Sequence, residues 1–174
     1  MLFNAFRLKP LELAYNKAQQ AGKKLANILV SSNVFCNCSI NLMCFSLGSV
    51  VVQNCLMELE KLGAWDRIND VIFLGACQDS TIFEENKCKS VSGKIINVYT
   101  EEDSTLKYLF KFTQVGLTKR PLGLKKLESP YQEIVNYDVS DIVKGHLLYR
   151  EKLKEILERI HYNRDSSIHF ENFQ

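Results

Sequence analysis

Ser46 is the residue whose setting points most directly to chemistry. A mostly apolar segment, 40–45, runs into it, and Cys44 and Gly48 flank it two residues away on either side. Where a strand turns sharply into a helix, the two backbones pass so close that only small side chains fit at these flanking positions. The spacing therefore predicts a serine held on a strained turn with its hydroxyl exposed, as a nucleophile requires.

A serine hydroxyl is a weak nucleophile until a histidine accepts its proton and a carboxylate orients that histidine. Three histidines occur in the chain, and only His146 comes shortly after a predicted strand. Asp103 follows another predicted strand. Ser46, Asp103 and His146 thus occur in the order that α/β-hydrolases use. We predict them to be the nucleophile, the orienting carboxylate and the base, with the backbone N–H of Leu47 stabilising the oxyanion.

Each of these residues also has an ordinary structural explanation, which for Ser46 and Gly48 is a common turn from a strand into a helix. An aspartate before Ser104 is a typical helix cap, and a histidine near the last helix can simply be packed in a core. Cys44 stands where the elbow pattern usually has glycine, so it is a weaker support than Gly48. Taken together and in this order, the three residues favour a triad over three unrelated structural roles.

Strands and helices alternate along the chain. Strands are predicted at 40–45, 71–74, 94–99 and 133–139, and helices at 10–31, 48–62, 104–112 and 153–160, with a shorter helical piece near 83–87. Such alternation predicts an α/β fold with about four parallel strands in the order 1-2-3-4 and helices on both faces. Ligands then bind at the carboxyl ends of the strands. Gln78 and Asp79, after the second strand, lie at that edge as well.

The bulk composition excludes several classes of protein. The chain has 174 residues, of which 46% are hydrophobic, and this fits one globular domain. A net charge of +2 is too small to favour nucleic acid as a partner. Neither an apolar run of about 18 residues nor a secretory signal is present, so an intracellular protein is expected.

The chain has six cysteines, and they are expected to be reduced thiols because the chain is larger than the small secreted domains that depend on disulfides. Cys36 and Cys38 are too closely spaced for a structural zinc pair, and no matching ligand pair occurs elsewhere. No metal and no cofactor is predicted.

A basic segment, 117–127, follows the helix after Asp103, where it would lie near the mouth of the site. Its positive residues are Lys119, Arg120, Lys125 and Lys126, and leucines alternate with them. One interpretation is a solvated connection. The other is a contact with the anionic head groups of a membrane surface, worth about 1 kcal/mol per basic residue.

Several blocks of the chain resemble the sequence of a known protein family. They are 18–26, 45–49, 58–64, 74–76, 91–97, Asp103 and 138–146, the last ending in Gly-His. On these blocks, over roughly residues 14–150, the chain resembles the C-terminal half of domain-of-unknown-function family 726, a family of α/β-hydrolase-like membrane proteins. The resemblance implies a partial α/β-hydrolase domain over 1–162, a polar tail over 163–174, and the family's serine, aspartate and histidine at Ser46, Asp103 and His146.

The resemblance also implies what this chain leaves out. We expect this chain to lack the first four strands of a complete hydrolase, the loop that gives the second oxyanion donor, and the membrane-spanning segments. The elbow strand would then be an exposed apolar edge for another protein chain to cover. Two functions follow: a serine esterase or lipase acting on an ester or lipid, or a catalytically weak half-hydrolase that serves as a binding or assembly module.

Overall fold

The computed structural model of the chain describes residues 2–85, 88–112, 121–131 and 133–162. In chain order its elements are the helix α1 (Leu2–Ser31), the strand β1 (Leu42–Phe45), α2 (Gly48–Lys61), β2 (Val71–Leu74), α3 (Thr81–Glu85), β3 (Ile95–Tyr99), α4 (Ser104–Phe112), β4 (Ile134–Asp138), α5 (Leu148–Glu151) and α6 (Leu153–Arg159). Short 3₁₀ helices lie at Asn33–Phe35 and Leu122–Leu124. The predicted tail over 163–174 lies outside the described residues.

The strands form one parallel sheet in the order β1-β2-β3-β4. At its carboxyl edge Phe45 pairs with Leu74, and Leu74 pairs with Val98. Because all strands run in one direction, the residues that follow each of them meet at this same edge. The predicted α/β fold with four parallel strands in this order is confirmed.

Both faces of the sheet are covered, as the continuous apolar character of the middle strands predicts. All of β2 is buried, and its successive residues pack alternately into the two hydrophobic cores on opposite faces of the sheet. Val71 and Phe73 pack with buried residues of α1 and α2. Ile72 and Leu74 pack on the other face with buried residues of α5 and α6. The carboxyl edge is thus held between two packed layers.

The contact between α1 and α2 depends on Gly22. A Cβ atom at this position would lie 2.3 Å from the carbonyl oxygen of Val51 and 2.8 Å from the Cβ of Asn54. A glycine inside a helix costs about 1 kcal/mol relative to alanine. Here it lets two helices approach closely.

The first helix and the first strand do not begin where the sequence predicts, and several other element ends differ by one or two residues. The first helix extends back to Leu2 and contains Pro10 in its interior, since a proline that removes one backbone hydrogen bond need not end a helix. The first strand begins at Leu42 rather than at residue 40. The side-chain oxygen of Asn41 accepts the backbone N–H of Asp70 at 3.0 Å, which replaces a bond of the strand ladder.

Candidate active site

The turn between β1 and α2 places Ser46 at the carboxyl edge of the sheet. Its φ of +51° is in the left-handed region, which strains a residue with a side chain. The backbone N–H of Ser46 donates to the carbonyl of Leu74 at 3.1 Å and ties the turn to β2. A Cβ at Gly48 would lie 3.5 Å from the Cβ of Cys44, an ordinary contact, so cysteine fits where the elbow pattern has glycine.

Ser46, His146 and Asp103 are linked by hydrogen bonds. Nε2 of His146 lies 2.6 Å from Oγ of Ser46. Nδ1 of the same ring lies 2.6 Å from Oδ2 of Asp103. The residues come from the ends of three different strands and are up to 100 positions apart in the chain, so the fold brings together all three residues that the sequence singled out.

Asp103 makes two different contacts, one with each of its carboxylate oxygen atoms. Its side chain is fully buried. Oδ1 accepts the backbone N–H of Leu106 at 2.8 Å and caps α4, while Oδ2 faces His146. The cap and the contact with His146 therefore occur together, because each uses a different carboxylate oxygen.

His146 lies in a turn that buried residues hold on both sides. Val143 and Tyr149 are completely buried, and His146 itself is 7% exposed. The Phe45 ring packs against the imidazole with centroids 4.8 Å apart, and the Tyr149 ring lies at 6.4 Å. Sequence reasoning missed the role of Phe45, although its place beside the elbow serine is a signal for it.

Tyr149 is held against the backbone that follows β2. A Cβ at Gly75 would lie 2.6 Å from its ring, so only glycine leaves room there. Burial, and then the negative charge of Asp103 and Asp138, raises the pKa of Tyr149 well above its ordinary value. The phenol therefore stays neutral and acts as an aromatic wall behind the site.

The arrangement is suited to activating a hydroxyl group. With the carboxylate of Asp103 accepting the Nδ1–H of His146, Nε2 presents its lone pair to the hydroxyl of Ser46. The N–H of Leu47, just before α2, makes no backbone hydrogen bond within the described parts of the chain. It lies at the positive end of a 14-residue helix, where negative charge is stabilised.

Gln78 and Asp79 are the other residues that the sequence places at the strand ends. Gln78 is fully buried, and its side-chain amide has no hydrogen-bond partner among the described residues. Asp79 accepts the backbone N–H of Thr81 at 2.7 Å and so caps α3. Within the described ranges, no group of three or more His, Cys, Asp or Glu is arranged to hold a metal ion.

The basic segment lies partly at the same edge of the sheet. The N–H of Gly123 donates to the carbonyl of Ala76 at 2.8 Å, which places Leu122–Leu124 beside the end of β2. Farther along, Lys125 pairs with Glu84 at 3.3 Å and Lys126 pairs with Glu128 at 3.2 Å. Lys119 and Arg120 lie outside the described residues.

Comparison with known proteins gives consistent matches over most of the chain. The family model of a protein of unknown function, DUF726, matches residues 6–163. An uncharacterized membrane protein of Caenorhabditis elegans is 34% identical over 154 residues, which are 87% of this chain and 24% of that protein. The probable lipase MIL1 of Saccharomyces cerevisiae is 32% identical over 152 residues, 87% of this chain and 14% of the lipase.

A plant protein is also similar to this chain. The transmembrane and coiled-coil domain-containing protein STS1 of Oryza sativa subsp. japonica is 31% identical over 153 residues, 87% of this chain and 22% of STS1. The chain thus spans about a quarter or less of the length of these relatives.

Within the part that the structure describes, no helix is both long and apolar enough to cross a bilayer. No solved structure matches the chain. The family match over residues 6–163 shows that the chain belongs to the DUF726 family of proteins of unknown function.

Proposed function

We propose that this chain is the nucleophile-bearing part of an α/β-hydrolase that cleaves carboxylic esters as an esterase or lipase. The observation that carries the proposal is the continuous hydrogen-bonded path from Ser46 through His146 to Asp103, with 2.6 Å at each step. The left-handed backbone of Ser46 at a strand-to-helix turn supports it as well.

The proposed reaction has two steps, transfer of the acyl group to Ser46 and its release by water, with Asp103 orienting His146 in both. The oxygen of Ser46 attacks the ester carbonyl carbon while Nε2 of His146 takes the hydroxyl proton. The N–H of Leu47 donates to the oxygen that becomes negative, and the alcohol leaves with the proton from His146. Water then attacks the acyl group in the same way, which releases the acid and restores Ser46.

A lipid is the substrate class that we propose. The support is that one relative is named a probable lipase and another a membrane protein. We also propose an intracellular location at a membrane surface. Lys119, Arg120, Lys125 and Lys126 would contact anionic head groups, with Lys125 and Lys126 exchanging their carboxylate partners for lipid phosphates.

A fluorophosphonate probe tests the catalytic proposal, because it reacts with an activated serine and releases fluoride. We expect labelling of the wild type, no labelling of Ser46→Ala, and unchanged labelling of Ser104→Ala, a matched change at an exposed serine. A folded wild-type protein that is not labelled would contradict the proposal and favour the alternative, a binding or assembly module.

Vesicles containing phosphatidylserine test the membrane contact separately. We expect co-sedimentation at low salt that weakens at high salt, because salt screens such charges. Replacing the four basic residues by serine should abolish it. Binding that does not depend on these residues would show that the contact is elsewhere.

The outer edge of β1 is the proposed site for another protein chain. Among the strands that the structure describes, β1 pairs only with β2, and Met43 on it is 41% exposed. A charge on an edge strand opposes pairing with a further strand. Met43→Lys should therefore reduce self-association or aggregation in analytical ultracentrifugation. Equal self-association of the wild type and the variant would argue against strand pairing at this edge.

A further inference from the structure

Ser49 connects the elbow to the segment that follows β2, in addition to the bond between Ser46 and Leu74. It is fully buried in the first turn of α2. Its hydroxyl donates to the carbonyl oxygen of Ser46 at 2.5 Å, and its Oγ accepts the backbone N–H of Cys77 at 3.2 Å. Cys77 belongs to the segment after β2, so one side chain bonds both to the elbow and to the neighbouring strand end.

These bonds act on a strained part of the backbone. The left-handed φ of Ser46 persists only where its surroundings hold it. Two donors from Ser49, the hydroxyl and the backbone N–H at 3.0 Å, converge on the Ser46 carbonyl. The ladder bond from the Ser46 N–H to Leu74 holds the other side of the residue at 3.1 Å.

His146 is held by Phe45, directly before the elbow serine, and also by parts of the fold that are distant from the elbow. Its ring is bonded to Asp103, which follows β3, and it packs near Tyr149 of α5. The 2.6 Å contact between His146 and Ser46 therefore requires the elbow to be in register with the rest of the carboxyl edge. The bond from the Cys77 N–H to Ser49 contributes to this register, because it joins the elbow to the segment that follows β2.

We infer that Ser49 is a positioning residue, whose hydroxyl bridges Ser46 and Cys77 and so keeps the Ser46 hydroxyl within hydrogen-bond distance of Nε2 of His146. The inference rests on the proposed role of Ser46 as the nucleophile. The alternative is a purely local role, because a serine in the first turn of a helix often bonds to a backbone carbonyl three residues earlier. The bond from Cys77 distinguishes the two, since it links separate elements.

The test compares Ser49→Ala with Ser49→Thr, which keeps the hydroxyl, and with Cys77→Ala, which keeps the backbone N–H and removes only the thiol that lies 3.8 Å from Ser49. Three quantities are measured: kcat and KM for a short soluble ester, the ¹⁵N signal of His146 Nε2, and the melting temperature. Ser46→Ala supplies the reference signal for a lost Ser46–His146 bond.

For Ser49→Ala we expect kcat to fall about 10- to 100-fold with KM unchanged, because small misplacement of a reacting group is costly. Its Nε2 signal should move toward that of Ser46→Ala. Ser49→Thr should recover most of kcat, and Cys77→Ala should behave as the wild type. A Ser49→Ala protein that keeps the wild-type kcat and Nε2 signal would overturn the inference, whatever its melting temperature.

Two further outcomes also test the positioning role of Ser49. If the wild type has no hydrolase activity, the proposed function fails, and the Nε2 signal alone judges Ser49: a shift toward the Ser46→Ala value supports its positioning role, and no shift overturns it. If Ser49→Ala does not fold, Ser49→Cys is measured in the same way. It keeps the side-chain size and replaces the hydroxyl by a weaker donor and acceptor.

Discussion

The rings of Phe45 and His146 pack with their centroids 4.8 Å apart and their planes tilted by 32°. Phe45 is the last residue of β1, directly before Ser46 in the chain. The same turn therefore presents the hydroxyl of Ser46 and supports the ring that faces it. Phe45 also packs against Tyr149 at 5.8 Å, so the support continues into the buried core.

We expect Phe45→Leu to slow fluorophosphonate labelling on the order of tenfold, because the imidazole loses one wall of its site and a slightly misplaced base is costly. Phe45→Tyr keeps the ring and should label at nearly the wild-type rate. Phe73→Leu is the matched control, since Phe73 is a buried aromatic residue of the opposite core. It should lower stability without slowing the labelling of folded protein. Equal labelling by Phe45→Leu and wild type would contradict the role of the ring.

Asp103→Asn should separate the two roles of this side chain. The amide oxygen can still accept the Leu106 N–H at the start of α4, so the melting temperature should change little. The amide N–H₂ group faces Nδ1 of His146 in place of the carboxylate oxygen and favours the wrong tautomer. The rate of ester hydrolysis should then fall by about 10⁴-fold.

Asp79→Asn is the matched change for this experiment, because Asp79 caps α3 and lies outside the triad. Its labelling and hydrolysis rates should equal those of the wild type. A similar loss of activity in both variants would mean that the effect comes from helix capping rather than from the His146 contact.

Gly22→Ala should destabilise the protein, although alanine is the better helix former. The added methyl group would lie 2.3 Å from the Val51 carbonyl oxygen, and such overpacking costs about 1–3 kcal/mol. Urea denaturation measures the free energy of unfolding. At the neighbouring exposed position, Ala21→Gly gives the helix-propensity contribution alone, about 1 kcal/mol. An increase in stability for Gly22→Ala would refute the close contact of α1 and α2.

Stability should decrease in alkaline solution because of buried thiols. Burial raises the pKa of Cys55 from 9.0 to about 12, and burial is also the main cause that raises the pKa of Cys88 from 9.0 to about 11. Above pH 9 the unfolded chain loses these protons while the folded protein keeps them. Each thiol then lowers the free energy of unfolding by about 1.4 kcal/mol per pH unit, up to its folded pKa.

Urea denaturation under reducing conditions between pH 8 and pH 10.5 measures this slope. The thiol contribution should be absent below pH 9 and grow above it. Cys55→Ala should make the decline above pH 9 shallower by the amount that one thiol contributes. An identical slope in the wild type and Cys55→Ala would show that Cys55 ionises equally in both states.

The order of elements and the candidate triad were accessible from the sequence because both depend on local patterns. Apolar periodicity identified β2 and α4 with their observed bounds, since burial on both faces and a single apolar stripe leave distinct signatures. In a parallel sheet the rule that strand ends share an edge was then enough to group Ser46, Asp103 and His146. Gly48 signalled the elbow because a tight turn requires a small residue.

Tertiary structure decided the contacts between residues that are distant in the chain. The packing of the elements determines three such contacts: Phe45 with His146, Ser49 with Cys77, and Lys125 with Glu84. No local pattern encodes such contacts, because a hydrogen bond or a ring contact requires two segments to meet at a distance and angle that only the assembled layers determine. For the same reason the sequence specified which residues could form the site, while the packing of helices on both faces of the sheet set the 2.6 Å distances between them.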